Sequence, residues 1–441
     1  MMRSLFSAVS GLKAHQTRMD VIGNNIANVN TVAFKSQSMT FSEVFYQTTQ
    51  TASGPSDSIG GTNPKQIGLG SSVGSIATTV STEGASERTD NPYDLQISGD
   101  AFFIVSSAGT TYFTRAGNFK VDESGALVTS DGANVMGWQT DDDGNVVKDV
   151  VSKLYVTSTE FTYTAPSRTT GLTLSGNINA SSTESITTTM NFYDSLGNSY
   201  QATVTLDYVE SNDTTTKTYS ITPVSISQNG SITNLSFSVE GSISFNAVTG
   251  ASLDTNDDIV ITLNNNGTGS TSVLLDTVGT TTDHKISIDA TGLTMYSDKT
   301  SVKSAMGITD DDGNTTGAGK ATGTMTSVGI DTSGCIVASY SNGDTVTIGQ
   351  IAVATFANPE GLEKSGENLW SATLNSGLFD GIGEDVTTGD GKITSGVLEM
   401  SNVDLSSEFT SMITTQRGFQ ANSRIITVSD TLLEELINLK R

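Results

Sequence analysis

Apolar residues recur in alternating steps of three and four over the first 29 positions: Leu5, Ala8, Leu12, Met19, Ile22, Ile26 and Val29, with His15 holding one place in the row. Such spacing predicts a helix with a heptad seam along one side. Asn28, Asn30 and Thr31 supply its exit. The other end of the chain carries a strict period of seven, Leu405, Met412, Phe419, Ile426 and Leu433. Phe409 and Ile437 fill a second row that Gln416, Ser423 and Asp430 interrupt. From Ile425 onward a further stripe, Val428, Leu432, Leu436 and Leu439, widens the apolar surface. Asp404 is placed to cap this helix, Glu408 sits in its first turn, and Lys440 and Arg441 suit the negative end of its dipole.

Between the helices the period changes. Residues 36–75 are rich in Ser, Thr, Gln and Gly and read as a linker or an extended arm that needs a partner. Strand patterns follow at Leu95–Ile97, Ala101–Val105, Tyr112–Thr114 and Phe119–Val121, and return at Ile336–Tyr340 and Ile351–Phe356. Residues 160–325 form a Thr/Ser/Asn-rich stretch with alternating strands such as Thr203–Tyr208 and Ile259–Leu263, broken by turns at Asn229-Gly230, Asn266-Gly267 and Asp312-Gly313. It reads as an inserted β domain, or two small ones. The expected fold is mixed α and β: terminal helices forming a coiled-coil-like stem, with nested all-β domains between them. The expected division is 1–70 plus 401–441 for the stem and arm, 71–159 plus 326–400 for a middle β domain, and 160–325 for the insertion.

Composition sharpens this picture. Hydrophobic residues are 35% and charged residues 16% of the 441, both below the ~45–50% and ~25% usual in globular chains. Gly is abundant at 44 and Pro scarce at 6, which suits short strands joined by turns. The net charge of −25 makes nucleic acid and anionic lipid poor partners. That charge is concentrated between the ends. The first 70 residues carry five bases against three acids and the last 41 carry four against five, which leaves −26 for residues 71–400. Near-neutral ends can pack against copies of themselves while the acidic middle keeps the particle soluble. Two mid-helix glycines, Gly11 and Gly23, and a thin set of large side chains make one seam pair marginal. The stem is therefore expected to become ordered on assembly.

Little else in the chain promises chemistry. A single cysteine, Cys335, excludes an intrachain disulfide and any multi-cysteine metal centre, and reads as a buried small residue in a strand. His15 lies on the seam and His284 in the low-complexity insertion, so neither offers an oriented base. The clusters Asp141-Asp142-Asp143-Gly144, Asp310-Asp311-Asp312-Gly313 and Asp390-Gly391 fail the register of a calcium loop and read as hairpin turns. Gly68-x-Gly70 and Gly381-x-Gly383 lack the third glycine of a dinucleotide loop. No catalytic, cofactor or metal site is expected. No uncharged apolar run approaches the ~18 residues of a membrane helix, and Lys13 stops the thin apolar start short of a cleavable signal.

Asn24, Asn25, Ala27, Asn28, Asn30 and Thr31, completed by Phe34-Lys35, and Gln416 through Ser423 with Gln420, Ala421 and Asn422, form two end motifs. They resemble those of the flagellar rod, hook and hook-associated axial proteins. Ala33 stands where that family usually has Gly. Phe113-Thr114-Arg115-Ala116-Gly117-Asn118-Phe119 and Asn358-Pro359-Glu360-Gly361-Leu362 extend the likeness, and Phe192 through Asn198 within the long insertion resembles a hook-type segment. The resemblance implies a structural, non-enzymatic subunit exported through the flagellar export apparatus without signal cleavage. It implies polymerisation beneath a hook cap into a curved tube between distal rod and hook–filament junction protein. A distal rod subunit is the nearest alternative. A secreted β-rich binding module or adhesin is the alternative of a different class.

Overall fold

The computed structural model describes residues 2–55, 60–141, 144–210, 215–228, 230–232, 236–253, 259–264, 285–310, 312–389 and 391–439. His284, Asp142, Asp143, Asp311, Asp390, Asn229, Asn266-Gly267, Lys440 and Arg441 lie outside the described residues. Two helices flank a long series of strands, α1 at Met2–Ala27 and α2 at Leu405–Asn438. The chain divides into two compact units: residues 1–158, 327–338 and 346–441 form one, and 159–326 with 339–345 the other.

In the first unit, strands Thr345–Ile351, Asn134–Gln139, Phe102–Ser107, Thr110–Thr114, Leu369–Ser371 and Glu363–Gly366 follow one another across a sheet. Phe102, Phe103, Ile104 and Val105 are all fully buried, so this strand has cover on both faces and its apolar run needs no alternation. Phe102, Ile104, Phe113, Trp138 and Trp370 share one core, where Phe113 meets Phe356 edge-on at 4.8 Å. Residues 36–75 are not a featureless linker. Gln37–Glu43 pairs antiparallel with Ser71–Thr78, and Tyr46–Gln50 pairs with Lys65–Gly68, making a long two-stranded arm. The Ser/Thr alternation that hid these strands forms cross-strand hydroxyl pairs, Thr40–Ser75 at 2.8 Å and Ser42–Ser72 at 2.9 Å.

In the second unit the described residues form two five-stranded sheets that share one buried apolar cluster. One runs Ser236–Glu240, Ile259–Asn264, Lys285–Thr294, Gly171–Asn177, Ser301–Met306, with Gly171–Asn177 parallel to Lys285–Thr294. The other is built on Ile186–Tyr193, Ser199–Val209 and Thr216–Gln228. Along Ser199–Val209 the residues Tyr200, Ala202, Val204 and Leu206 are buried, while Ser199, Gln201, Thr203, Thr205 and Asp207 turn outward. This is the period-two pattern of a sheet with one wet face.

One turn recurs through both units. Asp122, Asp141, Asp194, Asp310 and Asp331 each accept, through Oδ1, the backbone N–H four residues on, at 2.7–2.8 Å. The residue three on is always a glycine with φ of 79–85°. The aspartate side chain closes the turn and glycine supplies the left-handed backbone. Asp141 and Asp310 therefore each close a turn.

Candidate assembly surface at the paired chain ends

Asp404 starts α2 by accepting the N–H groups of Ser406 and Ser407 at 2.9 and 3.4 Å. The helices run antiparallel. Asn25 Nδ2 donates to Glu408 Oε1 at 2.9 Å, Gly418 sits against the His15 ring, and Gly11 sits against Asn422. A Cβ added at Gly418 would lie 2.7 Å from the His15 ring, so this crossing depends on glycine. Ala8 and Ile22 are buried on α1, together with Gly11, Ala14, Val21 and Asn25. Leu5, Leu12, His15, Met19 and Ile26 are half-buried. Val29 lies beyond α1, which stops at Ala27, so it belongs to the elbow rather than the helical seam.

On α2, Met412, Phe419, Ile426 and Leu433 are half-buried, while Thr415 and Ser429 are buried. The row facing α1 between those apolar positions is thus Glu408, Thr415, Asn422 and Ser429. Leu405, Phe409 and Ile437, predicted on the seam, are 38%, 50% and 68% exposed. Small and polar side chains let the helices approach closely and push the bulky ones outward. Leu405, Phe409 and Ile413 line one flank of α2, and Ile425, Val428, Leu432 and Leu436 another, followed by Leu439 just past the helix end, all exposed. At about 100° per residue these flanks lie on opposite sides of the Thr415–Asn422–Ser429 row. Gln420 and Ala421 are exposed, as are Asn30 and Ala27.

The elbow after α1 is built from the remaining motif residues. Asn28 Nδ2 donates to the Asn24 carbonyl at 2.9 Å and Thr31 Oγ1 to Asn28 Oδ1 at 3.1 Å, closing the helix end. Asn25 brackets the start of the arm, donating to the Gln37 carbonyl at 2.8 Å and accepting its N–H at 3.0 Å. Phe34 is buried beneath the Lys364 ammonium, 4.6 Å from its ring. Asn402 ties the far end of the chain to this elbow, accepting the Ser36 N–H at 2.7 Å and donating to the Thr79 and Thr82 carbonyls.

Lys35 enters the interior, 1% exposed, and meets Glu399, equally buried, at 2.7 Å. It also donates to the Thr82 carbonyl at 2.7 Å, and Gly84 N–H donates to Glu399 Oε1 at 3.0 Å. Arg115 lies 3.9 Å from the other carboxylate oxygen, donates to the Ile97 and Gly99 carbonyls, and covers the Phe102 ring. Burial lowers the Lys35 pKa, against the opposing pull of Glu399. Burial likewise lowers that of Arg115. The segments before, within and after the first unit's sheet thus meet at three charges. Lys35 and Arg115 stand in motifs visible in the sequence; Glu399 was not legible there. Cys335 is half-exposed at the start of Cys335–Tyr340, not buried, with Ser333 Oγ 3.4 Å from its sulfur.

Three family models match, and they fall on these parts. Residues 5–35, α1 with its elbow, match the flagella basal body rod protein model, and residues 394–439, from before Glu399 through α2, match the flagellar basal body rod FlgEFG protein C-terminal model. Residues 96–245 match the flagellar hook protein FlgE/F/G D1 domain. Across its full length and theirs, the chain is 39% identical to the flagellar hook protein FlgE of Borreliella burgdorferi and 35% identical to that of Treponema pallidum. The chain belongs to the flagellar hook protein family. The same full-length coverage holds at 32% identity for the flagellar basal-body rod protein FlgG of Bacillus subtilis, so rod and hook proteins share this hook-family framework. Within the framework, the elbow and the Lys35–Glu399 junction lie inside the two terminal matches.

Proposed function

We propose that this chain is the structural subunit of the flagellar hook, polymerising into a curved flexible tube that transmits torque from rod to filament. The observation that carries this reading is the exposure of large apolar residues on two opposed flanks of α2, Phe409 and Ile413 on one and Val428 and Leu432 on the other. A helix with two apolar flanks can be gripped by a neighbour on each side, and such head-to-tail contact propagates instead of closing. The seam residues Leu12 and Phe419 are then covered by neighbouring copies as well as by the partner helix. The wet face of the 159–326 unit, rich in Ser, Thr and Gln, suits contacts between copies that are exchanged at low cost as the tube bends. The subunit leaves the cell through the flagellar export apparatus without signal cleavage. Its other partners are the hook cap, the distal rod and the hook–filament junction protein.

Electron microscopy of the purified full-length protein under assembling conditions tests this reading. Short curved tubes are expected. Straight rods would favour a distal rod subunit, the reading supported by the relative named FlgG. Deleting residues 160–325 should leave tubes of altered curvature; unchanged curvature would remove the bending role of that unit.

A further inference from the structure

His15 sits where three elements meet. Its ring packs against Gly418 of α2, and lies 5.3 Å from the Phe41 ring on strand Gln37–Glu43 of the arm. Its Nδ1 atom is buried and has no hydrogen-bond partner among the described residues. A neutral imidazole tolerates this, because one ring nitrogen carries no proton. An imidazolium does not: both nitrogens donate, and a charge is left at a closed contact.

Among the described residues the surroundings offer that charge no compensation. On α1 the ionisable neighbour is Arg18, a cation whose guanidinium lies 5.6 Å from the centre of the same Phe41 ring. From α2 the residue in contact is Gly418; the adjacent charged residue is Arg417, and Glu408 is engaged with Asn25. On Gln37–Glu43 the ionisable residue is Glu43, whose carboxylate accepts the Tyr46 hydroxyl at 2.7 Å. Ser71–Thr78, the other arm strand against α1, carries no ionisable side chain.

We propose that His15 makes the docking of α1 onto α2 and the arm sensitive to acid: the docked state requires the neutral ring, and protonation releases it. Burial and Arg18 both lower the His15 pKa, in keeping with this geometry. The sign follows. A group held below its ordinary 6.5 favours the docked state above that pH, and docking weakens as pH falls through 6.5, because the undocked chain takes up the proton first. At pH 5 the largest possible effect, for a docked state that binds no proton, is about thirtyfold in the docking equilibrium.

Hydrogen exchange of the α1 amides in the full-length chain, corrected for the intrinsic pH dependence of exchange, reads this directly. Between pH 7.5 and 5.0 the wild type is expected to lose between about three- and thirtyfold in protection. His15→Gln, which keeps a neutral polar side chain, is expected to lose less than about twofold over that range. A wild type with constant protection, or a variant with the same loss, overturns the proposal. Should His15→Gln not fold, an NMR titration of His15 in the wild type decides: a midpoint below 6.5 supports the proposal, and one at or above 6.5 overturns it.

Discussion

Lys35 and Glu399, 364 positions apart in the chain, hold each other at 2.7 Å with 1% of either side chain exposed. Breaking such a pair from one side leaves a buried charge uncompensated, which costs about 3–5 kcal/mol. Lys35→Met and Glu399→Gln should each lower stability by that order in urea unfolding. The double variant should cost less than the two losses combined, because the partners share one interaction. Strict additivity would mean that the two residues act independently.

Gly418 and Gly23 are both helical glycines but should respond oppositely to alanine. At Gly418 the added methyl meets the His15 ring at 2.7 Å, whereas at Gly23 nothing lies within 4 Å. Gly418→Ala should destabilise the helix pair by about 1–3 kcal/mol through overpacking. Gly23→Ala should stabilise α1 by up to about 1 kcal/mol. Thermal unfolding followed by circular dichroism at the helical band would separate them.

Ala33 has φ of 53°, a left-handed backbone that brings its N–H to the Glu399 carbonyl at 2.8 Å. Glycine there would relieve about 1–2 kcal/mol of backbone cost and forfeit a buried methyl worth about 0.8 kcal/mol. Ala33→Gly should therefore leave stability within about 1 kcal/mol of wild type. Ala33→Val, β-branched at a site only 4% exposed, should cost more than about 2 kcal/mol. Equal stability of the two variants would contradict the strained elbow.

Asp385 carries an acid dependence. Its burial alone would raise the pKa, but hydrogen bonds from Lys148 at 2.8 Å, the Thr387 N–H at 3.0 Å and Gln350 at 3.0 Å bring it down to about 2. The contribution is complete above the ordinary carboxylate value and is lost as pH falls from about 4 to about 2. Half-exposed Lys148 limits it to about 1–2 kcal/mol. Asp385→Asn should flatten the stability profile over that interval, measured as urea midpoints against pH.

Both terminal helices were legible because their apolar spacing is regular, and the corners at Asp141 and Asp310 because side chain and glycine act within five residues; those at Asp122, Asp194 and Asp331 were not read from the sequence. The phase of α2 was not. A sequence reading assigns the seam to the largest side chains, whereas Thr415 and Ser429 are the buried positions, Asn422 and Gly418 meet α1, and Phe409 and Ile437 are exposed. Periodicity marks every surface a helix buries, in its own chain or against another copy, and does not say which is which. The strand pairing within the arm was hidden because strands held by Ser–Thr pairs lack the apolar alternation that marks a half-buried sheet. Glu399 was hidden because its partners lie hundreds of residues away.

The exposed flanks of α2 carry the account, and charge placed on each tests it most directly. Ile413→Glu and Leu432→Glu, one per flank and 59% and 46% exposed, should leave the single chain folded. Sedimentation velocity across a concentration series, with far-ultraviolet circular dichroism on the same samples, should show wild type converting to large polymers while both variants stay monomeric with an unaltered strand signal. Variants that polymerise at the wild-type concentration would show that these flanks are not where the copies meet.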